Sequence, residues 1–443
     1  MTDMAMRDPF APRDLRGIHT TGAADARLRK RYAAERRFKA YGLAAVSVAV
    51  LSLLVLLGTI LHGGATAFQS TQVRLEVDFD PAVLDLKGSP TREALLQADW
   101  AKLVDAALAA RFPDVTSRPA KRALSGLVSP GANTELRNMV LADPGLLGKK
   151  RTVWLTASSD VDMFLKGYIE RPKEGSEGAG RINARSIAWV DALVKDGALE
   201  KRFNTRFFTA ADSREPELVG AWGGIVGSFY TLVITLLLAF PIGVAGAIYL
   251  EEFAPKNRLT DLIEVNINNL AAVPSIVYGL LGLAVFIGAF GMPRSAPLVG
   301  GCVLALMSLP IIIIAGRAAL KAVPPSIREA ALGVGASRMQ MVLHHVLPLA
   351  MPGMLTGTIL AMAHALGETA PLLMIGMVAF VVDIPASPVD AATVLPVQIF
   401  MWADHPERGF VEKTSAAIIV LLLFLLAMNA IAIYLRKKFE RKW

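Results

Sequence analysis

The sequence predicts an all-α polytopic membrane protein with six transmembrane helices and an α+β domain inserted between spans 1 and 2. Three observations carry this. The chain is 53% hydrophobic with a mean hydropathy of +0.46, too apolar for a soluble protein of 443 residues. Six apolar stretches long enough to cross a bilayer are separated by polar segments, and one gap, 62–217, is far longer than the others. Both ends are basic: the first 40 residues carry ten Lys or Arg against five acids, and the last eight carry Arg436, Lys437, Lys438, Arg441 and Lys442 against Glu440. By the positive-inside rule both termini are expected in the cytoplasm, which an even number of crossings allows.

Taken in order, 1–40 reads as a basic cytoplasmic tail. Tyr41 to Leu61 is the first span, 41–61, of Ala, Val and Leu. Ala65-Thr66-Ala67 after it resembles a signal-peptidase site, but the preceding tail and apolar run are both long, so a retained anchor is expected. In 62–217 the composition becomes that of a soluble domain, assigned to the extracytoplasmic side. Val73, Leu75, Val77 and Phe79 alternate with Arg74, Glu76 and Asp78, the period of a half-buried strand. Ser89-Pro90 is read as a helix start, with Leu96, Trp100, Leu103 and Ala107 on one face. RTVWLTA over Arg151 to Ala157 is a second strand, and Asp160 to Tyr168 and Arg185 to Leu199 are helices. Gly148-Lys149-Lys150 lacks the remaining residues of a phosphate-binding loop.

Five further spans are expected at Gly223 to Leu250, Ile263 to Phe290, Pro297 to Gly316, Leu349 to Phe380 and Thr414 to Leu435, within a block 220–435. A basic tail, 436–443, closes the chain. Pro241, Pro274, Pro310, Pro352 and Pro371, with Gly223 and Gly227, permit bent, closely packed helices. Cys302 is the sole cysteine, which excludes an intrachain disulfide and a cysteine metal cluster. The six histidines show no ligand spacing, no cofactor is expected in the chain, and no nucleic-acid motif accompanies the basic tails.

Polar groups inside apolar spans are expensive and point to function. Glu368 is expected deep within the fifth span, with His364 one turn earlier on the same face and Thr369 after it; Arg317 ends the fourth span. Asn266, Asn268, Asn269, Ser275 and Tyr278 are expected along the third. A helix–helix ion pair or hydrogen bond would account for any of them structurally. A substrate pathway is drawn through Glu368, Thr369, His364, Arg317, Asn269 and Ser275.

The polar loop 324–348 joins the fourth and fifth spans. Pro324-Pro325-Ser326 starts a helix, Glu329-Ala330-Ala331-Leu332 favours it, Gly335 suits its left-handed end, Ser337 caps a second helix, and Leu347-Pro348 closes the loop. Glu-Ala-Ala, three residues, Gly, then Leu-Pro resembles the signature loop of ABC importer permeases, with His345 at a position usually apolar. Gly227 to Thr231, Ala247 to Glu252, Val273 to Leu280 and GETAPLL over Gly367 to Leu373 are similar to the A-type permease of phosphate importers. The resemblance covers about 220–435 and implies the type I ABC importer transmembrane fold. It implies that the loop is a coupling helix seated on an ATPase through Glu329, Ala330, Ala331 and Gly335. It implies as partners a second permease, an ATPase dimer that binds ATP and Mg, and an extracytoplasmic phosphate-binding protein, in a bacterial inner membrane. Two positions depart from the family: His364 stands where Arg usually precedes the Glu, and Ile314 and Arg317-Ala318 stand where an Arg and an acidic pair are common. The chain itself is not expected to be an enzyme. Alternatives are a permease for molybdate, sulfate or phosphonate, a carrier or channel without an ATPase, and an anchored sensor.

Overall fold

The computed structural model describes residues 22–86, 91–171, 182–378 and 380–439. It divides at Ile60 into two units. The first is dominated by helix α1, Gly22–Ala65. The stretch from 22 to 40, expected as a tail, is helical. Its Ala, Arg, Lys and Glu residues are good helix formers, Glu35 and Lys39 pair one turn apart at 2.6 Å, and the apolar run beyond them propagates the helix. The expected helix start at Ser89-Pro90 lies outside the described residues.

In the second unit, β1 (Gln69–Asp78), β2 (Lys150–Thr156) and β3 (Leu199–Phe203) form a three-stranded antiparallel sheet in the order β2-β1-β3. The alternation read from Val73 to Phe79 is realised: Val73, Leu75, Val77 and Phe79 are buried, with Val73 opposite Leu155 and Leu75 opposite Val153. The helix expected over Arg185 to Leu199 ends at Lys195, and Leu199, its expected last residue, opens β3. Gly197, at φ 61, terminates α7 (Ala184–Lys195) and turns the chain so that Leu199 pairs with Val73. Helices α2 (Arg92–Gln97), α3 (Ala101–Arg111), α4 (Arg118–Ser125), α5 (Ala132–Ala142) and α6 (Ser159–Leu165) surround the sheet. Leu96 is exposed and Leu95 buried, because Ala98 is extended and re-phases α2 against α3. Leu75, Phe79, Trp100, Leu108, Leu136, Leu155 and Leu193 belong to one apolar core.

The regular elements described in the rest of the chain are helices. Helix α8 (Trp222–Ile248) ends in a π turn, Tyr249–Phe253. Next come α9 (Arg258–Ala271), α10 (Ser275–Leu281) with its π extension Gly282–Ala289, and α11 (Pro297–Lys321). The polar elbow follows: α12 (Pro325–Gly333), α13 (Arg338–Gln340) and a π turn, Met341–Val346, leading into α14 (Leu347–Gly367). Then come α15 (Ala370–Met374), α16 (Leu395–Ala403) and α17 (Arg408–Phe439). Helix α11 is central, packed on α8 and α14. At Gly357 a Cβ would collide with that of Ala315, so α11 and α14 approach as only a glycine permits.

Among the described residues five helices are long and apolar enough to cross a membrane, and a sixth crossing requires the bent pair α9 and α10 to count as one. The expected third span, Ile263 to Phe290, is therefore not one helix but two, turned by 104°. Pro274 lacks an amide hydrogen and disfavours helix at Val273, which breaks the helix there. The Tyr278 hydroxyl then donates to Leu270 O at 2.7 Å across the bend. The expected fifth span is also broken: α14 stops at Gly367, and Glu368 is extended at φ −75, ψ 126.

The sheet domain is tied to the bundle. Lys166 Nζ lies 2.7 Å from Asp162 Oδ2 and 2.9 Å from Glu412 Oε1 on α17. Asp162 also accepts from Thr71 N and Oγ1, and Lys413 Nζ donates to Ala67 O. Trp402 Nε1 of α16 donates to Asp212, whose carboxyl is pushed up by burial.

Candidate functional site

Two places gather the polar residues singled out in the sequence. The first is the elbow. Pro324 is extended and Pro325 opens α12. Gly335 at φ 86 ends it in a paired turn, with Gly335 N donating to Leu332 O and Ala336 N to Ala331 O. Ser337 then caps α13 reciprocally with Gln340. The shape expected of the segment is thus built from local chemistry.

Its four singled-out residues do not act alike. Glu329, Ala330 and Gly335 are exposed, whereas Ala331 is buried against Leu320, Val342, Val346 and Met354. Adjacent helical residues point to different faces, so one alanine serves the outer surface and the other the inner seam. Leu332, Val334, Met339 and Leu343 add apolar surface to the outside, with Val334 85% exposed.

The sequence reading passed over what anchors the elbow. Arg328 Nη2 donates to Glu252 Oε1 at 2.7 Å and to Leu320 O at 2.9 Å, and its Nη1 donates to Val323 O at 2.7 Å. One guanidinium therefore caps the end of α11 and holds the carboxylate at the end of α8. Beside it, Arg317 Nη2 meets Glu264 Oε1 at 2.6 Å, Arg317 Nε meets Glu251 Oε2 at 3.3 Å, and Lys321 lies 3.7 Å from Glu251. Arg317 is thus engaged by carboxylates from α9 and the turn after α8. The available signal was two acids, Glu251-Glu252, closing one apolar run while Arg317 and Lys321 close another.

The second place is the break after α14. His364 Nε2 lies 3.1 Å from Glu368 Oε1, and Glu368 is largely enclosed with a side chain 17% exposed. The carboxylate sits at a helix end, beside Thr369 at the head of α15, not within a continuous span. Pro371 packs against Gly279 so closely that a Cβ there would lie 2.7 Å from Pro371 Cα, which puts the break alongside α10 inside the bundle. Ser275 begins α10 and is half-buried. Asn266, Asn268 and Asn269 are exposed on α9, which buries no residue. The structure brings His364 and Glu368 into contact and puts Asn269 and Ser275 on opposite sides of the bend.

Comparison with known proteins adds two matches to family models. One, described as binding-protein-dependent transport system inner membrane component, covers residues 239–443. The other, a domain of unknown function, covers residues 25–174. "Probable ABC transporter permease protein YqgI" of Bacillus subtilis is 38% identical over 44% of this chain, which spans 65% of that protein's length. "Phosphate transport system permease protein PstA" of Yersinia pestis is 32% identical over 49% of this chain and 74% of its own length. A solved structure of the MetNI methionine ABC transporter aligns with 50% of this chain and 95% of its own chain, at 18% identity and a TM-score of 0.39.

Proposed function

We infer that this chain, which belongs to the family of binding-protein-dependent transport system inner membrane components, is the membrane-spanning permease subunit of an ATP-driven importer of inorganic phosphate. The observation that carries the reading is the elbow. A short helix with a left-handed glycine end presents Glu329, Ala330 and the apolar Leu332, Val334 and Met339, while Arg328 fastens its base to α8 and α11. Such a surface suits a groove on a separate ATPase dimer, which would hold the ATP and Mg. A push there reaches the bundle through Arg328 and the Ala331 seam.

In this reading the elbow and both termini are cytoplasmic, in a bacterial inner membrane, and residues 62–217 form an extracytoplasmic α+β domain. Arg436, Lys437 and Lys438 in the last turn of α17 fit that orientation. The sixth crossing is the bent pair α9 and α10 taken together, since residues 275–289 alone are only about 22 Å long as a helix, and α9 approaches the cytoplasmic interface with its polar residues wet. A second permease completes the pathway, and an external phosphate-binding protein delivers the substrate.

Phosphate rests on the relatives and on Glu368. Near neutral pH phosphate retains a proton and can donate a hydrogen bond to a carboxylate, whereas sulfate cannot and is repelled. His364, in contact with Glu368, stands in for the arginine common at that position and balances charge when protonated. Thr369, the next residue, supplies a hydroxyl, and Ser275 at the head of α10 is assigned a second one on the pathway. Reconstituted vesicles containing the chain, its permease partner and the ATPase, supplied with the phosphate-binding protein on the face opposite the ATPase, should take up phosphate when ATP is given to the ATPase side and exclude sulfate and molybdate. Glu368→Gln should lose at least tenfold of that discrimination. Selectivity unchanged in the variant removes Glu368 from the role, and uptake of another oxyanion instead reassigns the substrate.

A further inference from the structure

The sheet domain holds a cavity of about 430 Å³ between α3, the end of α4, the starts of α5 and α6, and residues 215–217. Asp105, Asp160, Glu215, Glu217 and Glu407 line it, and no Lys, Arg or His is among its described lining residues. Glu217 lies at the buried end, 6% exposed, and its Oε2 accepts no hydrogen bond among the described residues. Ser158 Oγ on the same wall is also buried without a partner. A buried acceptor with nothing to accept from is costly, which a donor ligand would relieve.

The chemistry selects the ligand. Asp105, Glu215 and Glu217 repel phosphate and no described cation lines the cavity to hold it, so this is not a waiting site for the transported anion. Among the described residues no three acids or histidines converge as metal ligands do. The lining mixes carboxylates and hydroxyls with the apolar side chains of Ala101, Val104 and Val128. That combination fits an ammonium head with several N–H donors on a short carbon chain. We propose that this cavity binds an organic ammonium group, its nitrogen donating to Glu217 Oε2 at the buried end.

Burial, reinforced by Glu215 and Glu407 and opposed by a hydrogen bond from Ser129, raises the Glu217 carboxyl to about 7. Asp105 and Asp160 share the cavity, and Lys413 is the cation that senses Glu217 from α17. An ammonium ligand favours the ionised carboxylate, so binding tightens as pH rises through 7. The amine can come from a soluble amine or from an ethanolamine lipid headgroup, since the cavity lies close to the start of α8 and α17.

The test uses the full chain in phosphatidylglycerol discs, titrated calorimetrically with putrescine. One-site binding is expected at pH 8, about tenfold weaker at pH 6 from the ionised fraction of Glu217. Glu217→Gln and, separately, Asp105→Asn should each weaken it at least tenfold, while phosphate gives no heat. Discs containing phosphatidylethanolamine assign the source: weakened putrescine binding identifies the lipid amine, unchanged binding a soluble one. No putrescine binding in phosphatidylglycerol discs at either pH, binding indifferent to both substitutions, or calcium binding in its place overturns the proposal. Phosphate uptake is not read, so the outcome is independent of the transport assignment.

Discussion

The two ends of the helix bundle are both fastened by ion pairs, but of opposite physical kinds. Where the sheet domain meets α17, Lys166, Asp162 and Glu412 have side chains only 2%, 6% and 2% exposed. At the elbow, Arg317, Glu251 and Glu264 are 16%, 17% and 33% exposed, and Lys321 is 61% exposed. A buried ion cannot be left alone, because its desolvation is repaid only by its partners. A half-wet one can exchange a partner for water at little cost. The difference teaches where the molecule can move. The domain is welded to the last span, while at the elbow Arg317 and Lys321 can shift between Glu251 and Glu264 at lower cost, with Glu252, 7% exposed beside Arg328, the elbow's tighter point.

The sharpest way to break this contrast is Lys166→Met. It leaves Glu412 without its ion pair and Asp162 held only by Thr71, both buried, and should cost about 3–5 kcal/mol. The expected result is a large fall in thermal midpoint, or failure to accumulate in the membrane. Neutralising the carboxylates as well, with Asp162→Asn and Glu412→Gln, should recover much of the loss. A small effect of Lys166→Met alone would mean that the domain end is as soft as the elbow.

Next in size is the pH dependence set by Glu217 at the same end. Its folded carboxyl titrates near 7, above the ordinary 4.5, so the folded chain keeps a proton that the unfolded chain has already released. Stability from this group is full below pH 4.5 and falls as pH rises through 7, by roughly 3 kcal/mol in all. Thermal unfolding followed from pH 5 to 7.5 should show the decline, and Glu217→Gln should flatten it. An equal slope in the variant assigns the dependence elsewhere.

The same contrast explains what could be read from the sequence. Strand β1 was legible because alternation from Val73 to Phe79 needs only local pattern, and the elbow because Pro325, Gly335 and Ser337 each dictate their own backbone. The spans were legible as apolar runs, but their breaks were not. Pro274 and Gly367-Glu368 look like tolerated kinks in the sequence, whereas in the structure they are a 104° bend and a helix end, with α15 packed on α10 between them. Strand β3 escaped because Leu199–Phe203 is polar and held by its pairing with β1. Helix α16 is apolar but too short to span, so nothing flagged it. The His364–Glu368 contact was visible as an i,i+4 spacing. Arg328–Glu252 was not, since 76 residues separate the partners and only the fold unites them.

The mildest expected effect on stability, and the most telling for mechanism, is Arg328→Ala. The substitution frees Glu252 and uncaps Leu320 O and Val323 O. Arg328 is 22% exposed but Glu252 only 7%, so water replaces the guanidinium at the two carbonyls more readily than at the carboxylate, and the loss should be about 2 kcal/mol. Transport should suffer more than folding. With its base unfastened, α12 can still seat on an ATPase yet no longer drags the ends of α8 and α11 with it. In vesicles, ATP hydrolysis should persist while phosphate uptake falls at least fivefold, and Arg328→Lys should recover part of the uptake, since it restores the charge without the fork. Uptake and hydrolysis falling together would put Arg328 in the docking surface itself. A stability loss as large as that of Lys166→Met would show that the elbow is welded too, and that the moving part lies elsewhere, with the break at Glu368 the next place to look.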